Sequence, residues 1–294
     1  MNPDLATNQR IKEFAQAHGL QFIGEGFDNV VYADVVRQTA WRFPKKADRE
    51  QTLRQEAIVL PHLAHLGAIV PAPILKEESG LVYGEYPFVS GTHYEQLSPT
   101  EQIDLLRKSS IFLNKLHRFQ HLDLEVLEKI NSYARFQAVY EGLRDLKDTL
   151  NDAQMTYAKS LFESFLKHRE YAGIPPALLH GDFSKEHVYY QNGQIAVIDW
   201  SDFQLADPAY EFHHLLNELP TEAHQTLVDN YDLGIDQSFW ERAYAYRYMD
   251  TFEVLLQAFQ AGNTVRVQEF VGEVDQDMIR FWKMVWKNFG IKMP

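Results

Sequence analysis

Residues 176–203, PALLHGDFSKEHVYYQNGQIAVIDWSDF, hold two short apolar runs, HVYY at 187–190 and IAVIDW at 195–200, on either side of Gln191-Asn192-Gly193-Gln194. Asn-Gly between such runs supplies the positive φ angles of a tight hairpin turn, so the stretch is expected to be a β-hairpin. Polar residues crowd its ends. His180-Gly181-Asp182 precedes the hairpin, His187 opens its first strand and Asp199 closes its second. Because adjacent antiparallel strands lie about 4.8 Å apart, both ends can present side chains to one small volume. Two carboxylates and an imidazole converging there could hold a divalent cation through Asp199 and His187 while Asp182 orients an attacking hydroxyl, the division of labour that phosphoryl transfer requires. Mg²⁺ prefers oxygen ligands, so the imidazole is the unusual member. Taken alone, His180-Gly181-Asp182 reads as a turn closed by an Asx bond; Asp199 after the hairpin is what gives it chemistry.

Upstream, alternation and β-branched residues mark strands at 20–24 (LQFIG), 29–35 (NVVYADV), 38–44 (QTAWRFP) and 81–89 (LVYGEYPFV). Between the third and fourth, Leu53, Ala57, Leu60 and Leu63 recur at helical spacing and Gly67 offers a stop. From Ser98 the periods lengthen: Ser98 is a candidate N-cap, Pro99 takes the first helical position and Glu101 follows three after the cap. Helical patterns continue over 123–148 and 152–172, and return over 208–219, 221–230, 237–261 and 264–289. The class expected is α+β, with a sheet-rich part at 1–86 and a mainly helical part at 87–294, divided where the pattern changes near 84–97.

The chain has 294 residues and a net charge of −13, from 28 Lys and Arg against 41 Asp and Glu. That balance speaks against nucleic-acid binding through a broad basic surface and suits a cationic ligand. Hydrophobic content of 45% and charged content of 23% are ordinary for a folded domain. No apolar run approaches the roughly 20 residues of a membrane span, and the N-terminal residues lack the pattern of an export signal. Cysteine is absent, which removes disulfides, thiolate metal sites and cysteine nucleophiles and agrees with a reducing compartment. A cytoplasmic monomer without nucleic-acid or membrane partners is the expectation.

LLHGDFSKEHVYY followed by AVIDWSDFQLADPAYEF resembles the aminoglycoside and macrolide phosphotransferases, relatives of the protein kinases. The resemblance implies a bilobal kinase-like fold in which Asp182 is the catalytic aspartate and His187 and Asp199 are the metal-side residues. Most members carry Asn where this chain has His187; His is familiar in the 2''-aminoglycoside and macrolide branches. The same resemblance makes GEGFDNVVY at 24–32 the loop over the nucleotide phosphates, with Gly24, Gly26, Phe27 and Asn29 in contact. Arg42 stands where the family has a phosphate-clamping Lys, and Glu56 is its implied partner, with Lys45 and Lys46 as substitutes for Arg42. Arg forks where Lys is a point charge, so the clamp differs from the usual one. GEYPF at 84–88, through Glu85, Tyr86 and Phe88, matches the linker whose backbone would hold the purine of ATP or GTP.

The implied reaction moves the γ-phosphoryl group of ATP or GTP, with Mg²⁺, to a hydroxyl of an aminoglycoside-like polyamine sugar. By the same resemblance Glu211, Glu218 and Glu222 line the acceptor pocket, although each alone reads as a solvated helix residue. Asp202 either fixes the loop after Trp200 or receives a substrate ammonium. Asp207 before Pro208 reads as a helix cap. Tyr190, Trp200, Phe203, Tyr210 and Phe212 are expected in the core, with one or two free to stack on a sugar. His62 and His65 have no third ligand nearby in sequence and receive no function. The alternatives are a macrolide 2'-phosphotransferase, a kinase for a small metabolite such as choline, homoserine or a sugar, and a kinase-like nucleotide-binding module without turnover, which the Arg at 42 would favour.

Overall fold

A computed structural model describes residues 3–26, 28–233 and 237–289. Helix α1 (Pro3–Ala17) is followed by β1 (Gln21–Glu25), β2 (Asn29–Asp34), β3 (Thr39–Pro44), α2 (Ala47–Val59), β4 (Ile74–Glu78) and β5 (Leu81–Pro87). The strands form one antiparallel sheet in the order β1-β2-β3-β5-β4. Sequence periodicity reveals neither α1 nor β4. Among the described side chains of α1, Ile11, Phe14 and Ala15 are buried, packing on Val30, Tyr32, Trp41, Phe43, Leu81 and Tyr83, a stripe too narrow to stand out in the sequence. Strand β4 is almost wholly exposed and charged, Ile-Leu-Lys-Glu-Glu, and is held by its ladder to β5 rather than by apolar burial.

Helix α3 (Pro99–Leu116) begins as its sequence dictates. Ser98 Oγ accepts from the Glu101 N–H, and Glu101 Oε2 accepts in return from the Ser98 N–H at 2.9 Å. Such a reciprocal cap contributes about 1 kcal/mol. Helix α4 (Ser132–Gly142), α5 (Asp152–Leu166) and a short strand β6 (Ala177–Leu179) lead into the hairpin of β7 (Val188–Gln191) and β8 (Gln194–Val197). Asn192 and Gly193 both have positive φ, 51° and 75°, as a two-residue primed turn requires. Strand β9 (Gln204–Ala206) and helices α6 (Phe212–Glu218), α7 (Thr221–Asp229), α8 (Gln237–Gln260) and α9 (Thr264–Phe289) complete the described chain. No helix among the described residues is long and apolar enough to cross a membrane.

Contacts divide the chain into two compact units at places other than the change of pattern near residue 86. The first comprises residues 1–128, 178–204 and 218–233; the second comprises 129–177, 205–217 and 234–294. The hairpin joins the first unit because Ile69 bridges Ala196 and Thr92 bridges Tyr190, long-range pairings that no local pattern announces. Helix α3 fastens it further: Tyr190 Oη donates to Asp104 at 2.7 Å and Lys108 Nζ to the Gly193 carbonyl at 2.5 Å. In the second unit Phe136, Phe162, Phe165, Tyr246 and Phe252 form the core. There Asp207 caps the turn at 208–211 by accepting from the Ala209 N–H, as its sequence indicates. It also pairs with buried Arg242 at 2.6 Å and accepts from Tyr246 Oη at 2.7 Å.

Candidate active site

The turn of the hairpin points its strand ends back toward residues 180–187, and short bonds fix the geometry there. The Ile198 N–H donates to the His187 carbonyl at 3.0 Å, and His180, fully buried, bonds through Nε2 to the Ile198 carbonyl at 2.9 Å. His187 Nδ1 lies 2.9 Å from the Asp182 carbonyl and 3.5 Å from Asp182 Oδ2. Donation to that carbonyl places the proton on Nδ1 and leaves Nε2, 3.8 Å from Asp199 Oδ2, with its lone pair. His187 therefore stands between the two carboxylates that flank it. Burial alone would lower the pKa of His187, but the charges of Asp182 and Asp199 and the Asp182 carbonyl outweigh it and raise the pKa. For Asp199, burial pushes the carboxyl up, while Arg42, His187 and the Ser201 hydroxyl outweigh that and bring it below its ordinary value. Asp199 holds φ at +57°, a conformation Asp tolerates better than most residues.

Arg42 on β3 meets the same carboxylate from the sheet. One guanidinium nitrogen pairs with Glu56 of α2 and the other lies 3.3 Å from Asp199 Oδ1. Tyr86 Oη donates to the second Glu56 oxygen at 2.9 Å, and the Tyr86 ring lies 5.0 Å from the guanidinium carbon. Burial opposes the charge on Arg42, yet Glu56, Tyr86 and Asp199 hold its pKa above the ordinary value. Its Nε is buried with no hydrogen-bond partner, an uncommitted donor beside the two carboxylates. Lys45 and Lys46 take different posts: Lys45 pairs with Glu25 and donates to the Gly26 carbonyl at 2.7 Å, and Lys46 lies 3.2 Å from Asp28. They brace the short connection between β1 and β2: Gly24 lies within β1, Gly26 follows it and Asn29 opens β2, while Phe27 lies outside the described residues.

Arg49, which the sequence does not single out, links this loop to the segment after Asp199 through Asp28 at 2.7 Å and Asp202 at 3.5 Å. Asp202 is thus tied into the loop, with burial raising its pKa, helped by Asp182, Asp199 and Asp28 and opposed by Arg49. Glu85 and Tyr86 belong to β5, where Glu85 is flanked by both β3 and β4 and Tyr86 pairs with Ala40; the Phe88 N–H donates to the Gln38 carbonyl. That backbone is spent within the sheet.

The proposed acceptor acids do not share one environment. Glu218 Oε2 accepts from the Lys185 N–H at 2.9 Å. Glu211 is buried in the second unit, and the side chain of Glu222 lies outside the described residues. Trp200, Phe203, Tyr210 and Phe212 are all core residues, and Tyr190 is held by Asp104. A recess of about 490 Å³ opens instead beside Glu95, Lys185, His187, Tyr189, Ile198 and Asp199, with the His93 and Tyr189 rings 4.4 Å apart. Glu95 and Lys185 form an ion pair at its edge. His93, Glu95 and Tyr189 carry no sequence signal, because they meet through the pairing of Thr92 with β7.

Residues 19–246 match the phosphotransferase enzyme family. The chain belongs to this family. As a member it is a kinase-type transferase, and its fold is the kinase-like one of solved relatives. The GDP complex of aminoglycoside 2'-phosphotransferase-IIIa superposes with a TM-score of 0.81 at 20% identity, over 95% of this chain and 99% of that one. The streptomycin-ATP complex of APH(2")-IIa gives 0.71 at 18% identity, over 91% and 95%. Macrolide 2'-phosphotransferase MphH from Brachybacterium faecium gives 0.68 at 18%, over 89% and 96%. No curated protein matches by sequence.

Proposed function

We propose that this phosphotransferase moves the γ-phosphoryl group of ATP or GTP to a hydroxyl of an aminoglycoside-like, cationic small molecule. The observation that carries the reading is the line of charge from Glu56 through Arg42 to Asp199 and on through His187 to Asp182. In this assignment Asp182 orients the acceptor hydroxyl and takes its proton. Arg42 braces the phosphates, and the loop through Gly24, Gly26, Phe27 and Asn29 covers them. Since Glu85, Tyr86 and Phe88 commit backbone to the sheet, the purine edge falls to the residues just after them. Asp202 and Glu218 are assigned to the ammonium groups of the acceptor.

Mg²⁺ usually takes one or two carboxylates and completes its shell with water and phosphate. Asp199 Oδ2 and the lone pair of His187 Nε2 fit that pattern, with the imidazole as a less common ligand. When bound, the ion would neutralise charge on the transferring phosphate. The relatives solved with GDP, ATP, streptomycin or as a macrolide enzyme support the class of donor and acceptor. A panel of aminoglycosides, a macrolide, choline, homoserine and simple sugars, each with ATP and GTP, tests the reading. Turnover confined to small alcohols would defeat it. Nucleotide binding without turnover of any acceptor would favour a binding module, against which the intact Arg42 pairing with both Glu56 and Asp199 weighs.

A further inference from the structure

His62 lies in the 3-10 turn Leu60–Leu66 that follows α2, and His121 and Asp123 lie at the start of another, Leu122–Val126. The two segments are fixed in place by apolar side chains, Leu60, Leu63 and Leu66 in the first and Leu124 in the second. Gln55 Nε2 joins them by donating to the Val126 carbonyl at 2.7 Å. Across this join His62 Nε2 approaches Asp123 Oδ2 to 2.6 Å, and His121 Nδ1 approaches the same oxygen to 3.4 Å. The imidazole rings stack at a centroid distance of 4.0 Å. One ligand atom from each residue lies within 4.8 Å of the others. The His62–Asp123 contact spans 61 residues of sequence, which is why His62 has no visible third ligand in the linear chain.

His121 caps the turn at 122–126 by accepting through Nδ1 from the Asp123 N–H, so that nitrogen carries a lone pair and not a proton. His121 Nδ1 faces both the Asp123 N–H, at 3.2 Å, and the Asp123 carboxylate oxygen. A cation here would draw on the His121 Nδ1 lone pair, the His62 Nε2 lone pair and the Asp123 carboxylate charge, which already lie close together. Tetrahedral zinc with bonds near 2.0 Å would set its ligand atoms about 3.3 Å apart. The observed separations of 2.6 and 3.4 Å bracket that spacing.

We propose that His62, His121 and Asp123 form a second metal site, selective for a zinc-class divalent transition ion and completed by water. Two imidazoles and one carboxylate match the preference of such ions for nitrogen, whereas Mg²⁺ prefers oxygen. The site shares no residue with the catalytic cluster. It pins the turn after α2, the helix that carries Glu56, to the 122–126 segment.

The test uses metal-stripped full-length protein titrated with Co²⁺ and with Zn²⁺. Because His187 and Asp199 could also take such an ion, each titration is repeated in an Asp199→Ala background. One Co²⁺ per chain is expected in that background, with the visible absorption of a low-coordinate centre. Excess Zn²⁺ should raise the melting temperature by about 3 °C or more. His121→Gln and Asp123→Asn should each weaken this binding by about 100-fold or more, beyond what loss of an outer hydrogen-bond partner causes. The three side chains are only part-buried or exposed, so the variants should fold, with circular dichroism as the check. Unchanged Co²⁺ affinity in both variants, or no bound ion in the Asp199→Ala protein, would overturn the proposal whatever the acceptor of the phosphotransferase proves to be.

Discussion

Gly181 passes so close to Asp202 that a Cβ on the glycine would lie 2.0 Å from the Asp202 carbonyl oxygen. The contact locks the loop carrying Asp182 against the segment carrying Asp199, and Gly181 also holds φ at +88°. Both conditions exclude a side chain. Gly181→Ala is expected to cost more than about 2 kcal/mol of stability and to depress kcat, as read by urea denaturation and phosphoryl-transfer assay. A variant with wild-type stability and kcat would show that the two loops are not coupled in this way.

Asp182→Asn keeps the shape of the side chain and removes the carboxylate proposed as the base. It should lower kcat by about 100-fold to 10,000-fold while leaving nucleotide affinity and melting temperature near wild type. Retained turnover would assign proton removal to another group.

Arg42 and Glu56 form a buried pair, and their two substitutions should fail differently. Glu56→Ala leaves the guanidinium without its main partner and should cost about 3 kcal/mol or more in unfolding free energy. Arg42→Lys retains the charge but replaces a fork by a point charge that cannot span Glu56 and Asp199 together. Loss of one charge-assisted bond corresponds to about a tenfold rise in nucleotide KM, and an unchanged KM would remove Arg42 from the phosphate site.

His213 provides a pH-dependent test in the second unit. Burial, aided by His214, lowers its pKa from 6.5 to about 4, against the raising influence of Asp250, Glu211 and the Tyr210 carbonyl. Since the folded pKa is depressed, the unfolded chain binds the extra proton first. The contribution is therefore present above pH 6.5 and is lost as pH falls toward 4. The difference, 6.5 − 4 = 2.5, amounts to about 3 kcal/mol. Stability measured from pH 7 to 4 should fall more steeply in wild type than in His213→Gln; parallel curves would place the acid sensitivity elsewhere.

Much of the fold is legible where a signal is local. The Asn192-Gly193 turn, the Ser98–Glu101 cap and the Asp207 cap each involve residues within a few positions of one another. The meeting of His187 with Asp182 and Asp199 is also close to local, because a single hairpin brings the three together. Helix α1 and strand β4 escape because their apolar content is slight and their stability comes from neighbours. Arg49 escapes for a related reason: its partners Asp28 and Asp202 lie on separate segments of the chain.

The order of residues alone determined the hairpin, the capped helix and the chemical types gathered at the hairpin ends, since these depend on backbone preferences and side-chain reach over a few positions. The folded arrangement decided which cation pairs with Glu56, sending Arg42 inward and Lys45 and Lys46 to the loop. It also placed Glu211 inside the protein and brought His62 to Asp123. These outcomes rest on burial and charge pairing between distant segments, and such energies exist only once the chain has closed on itself.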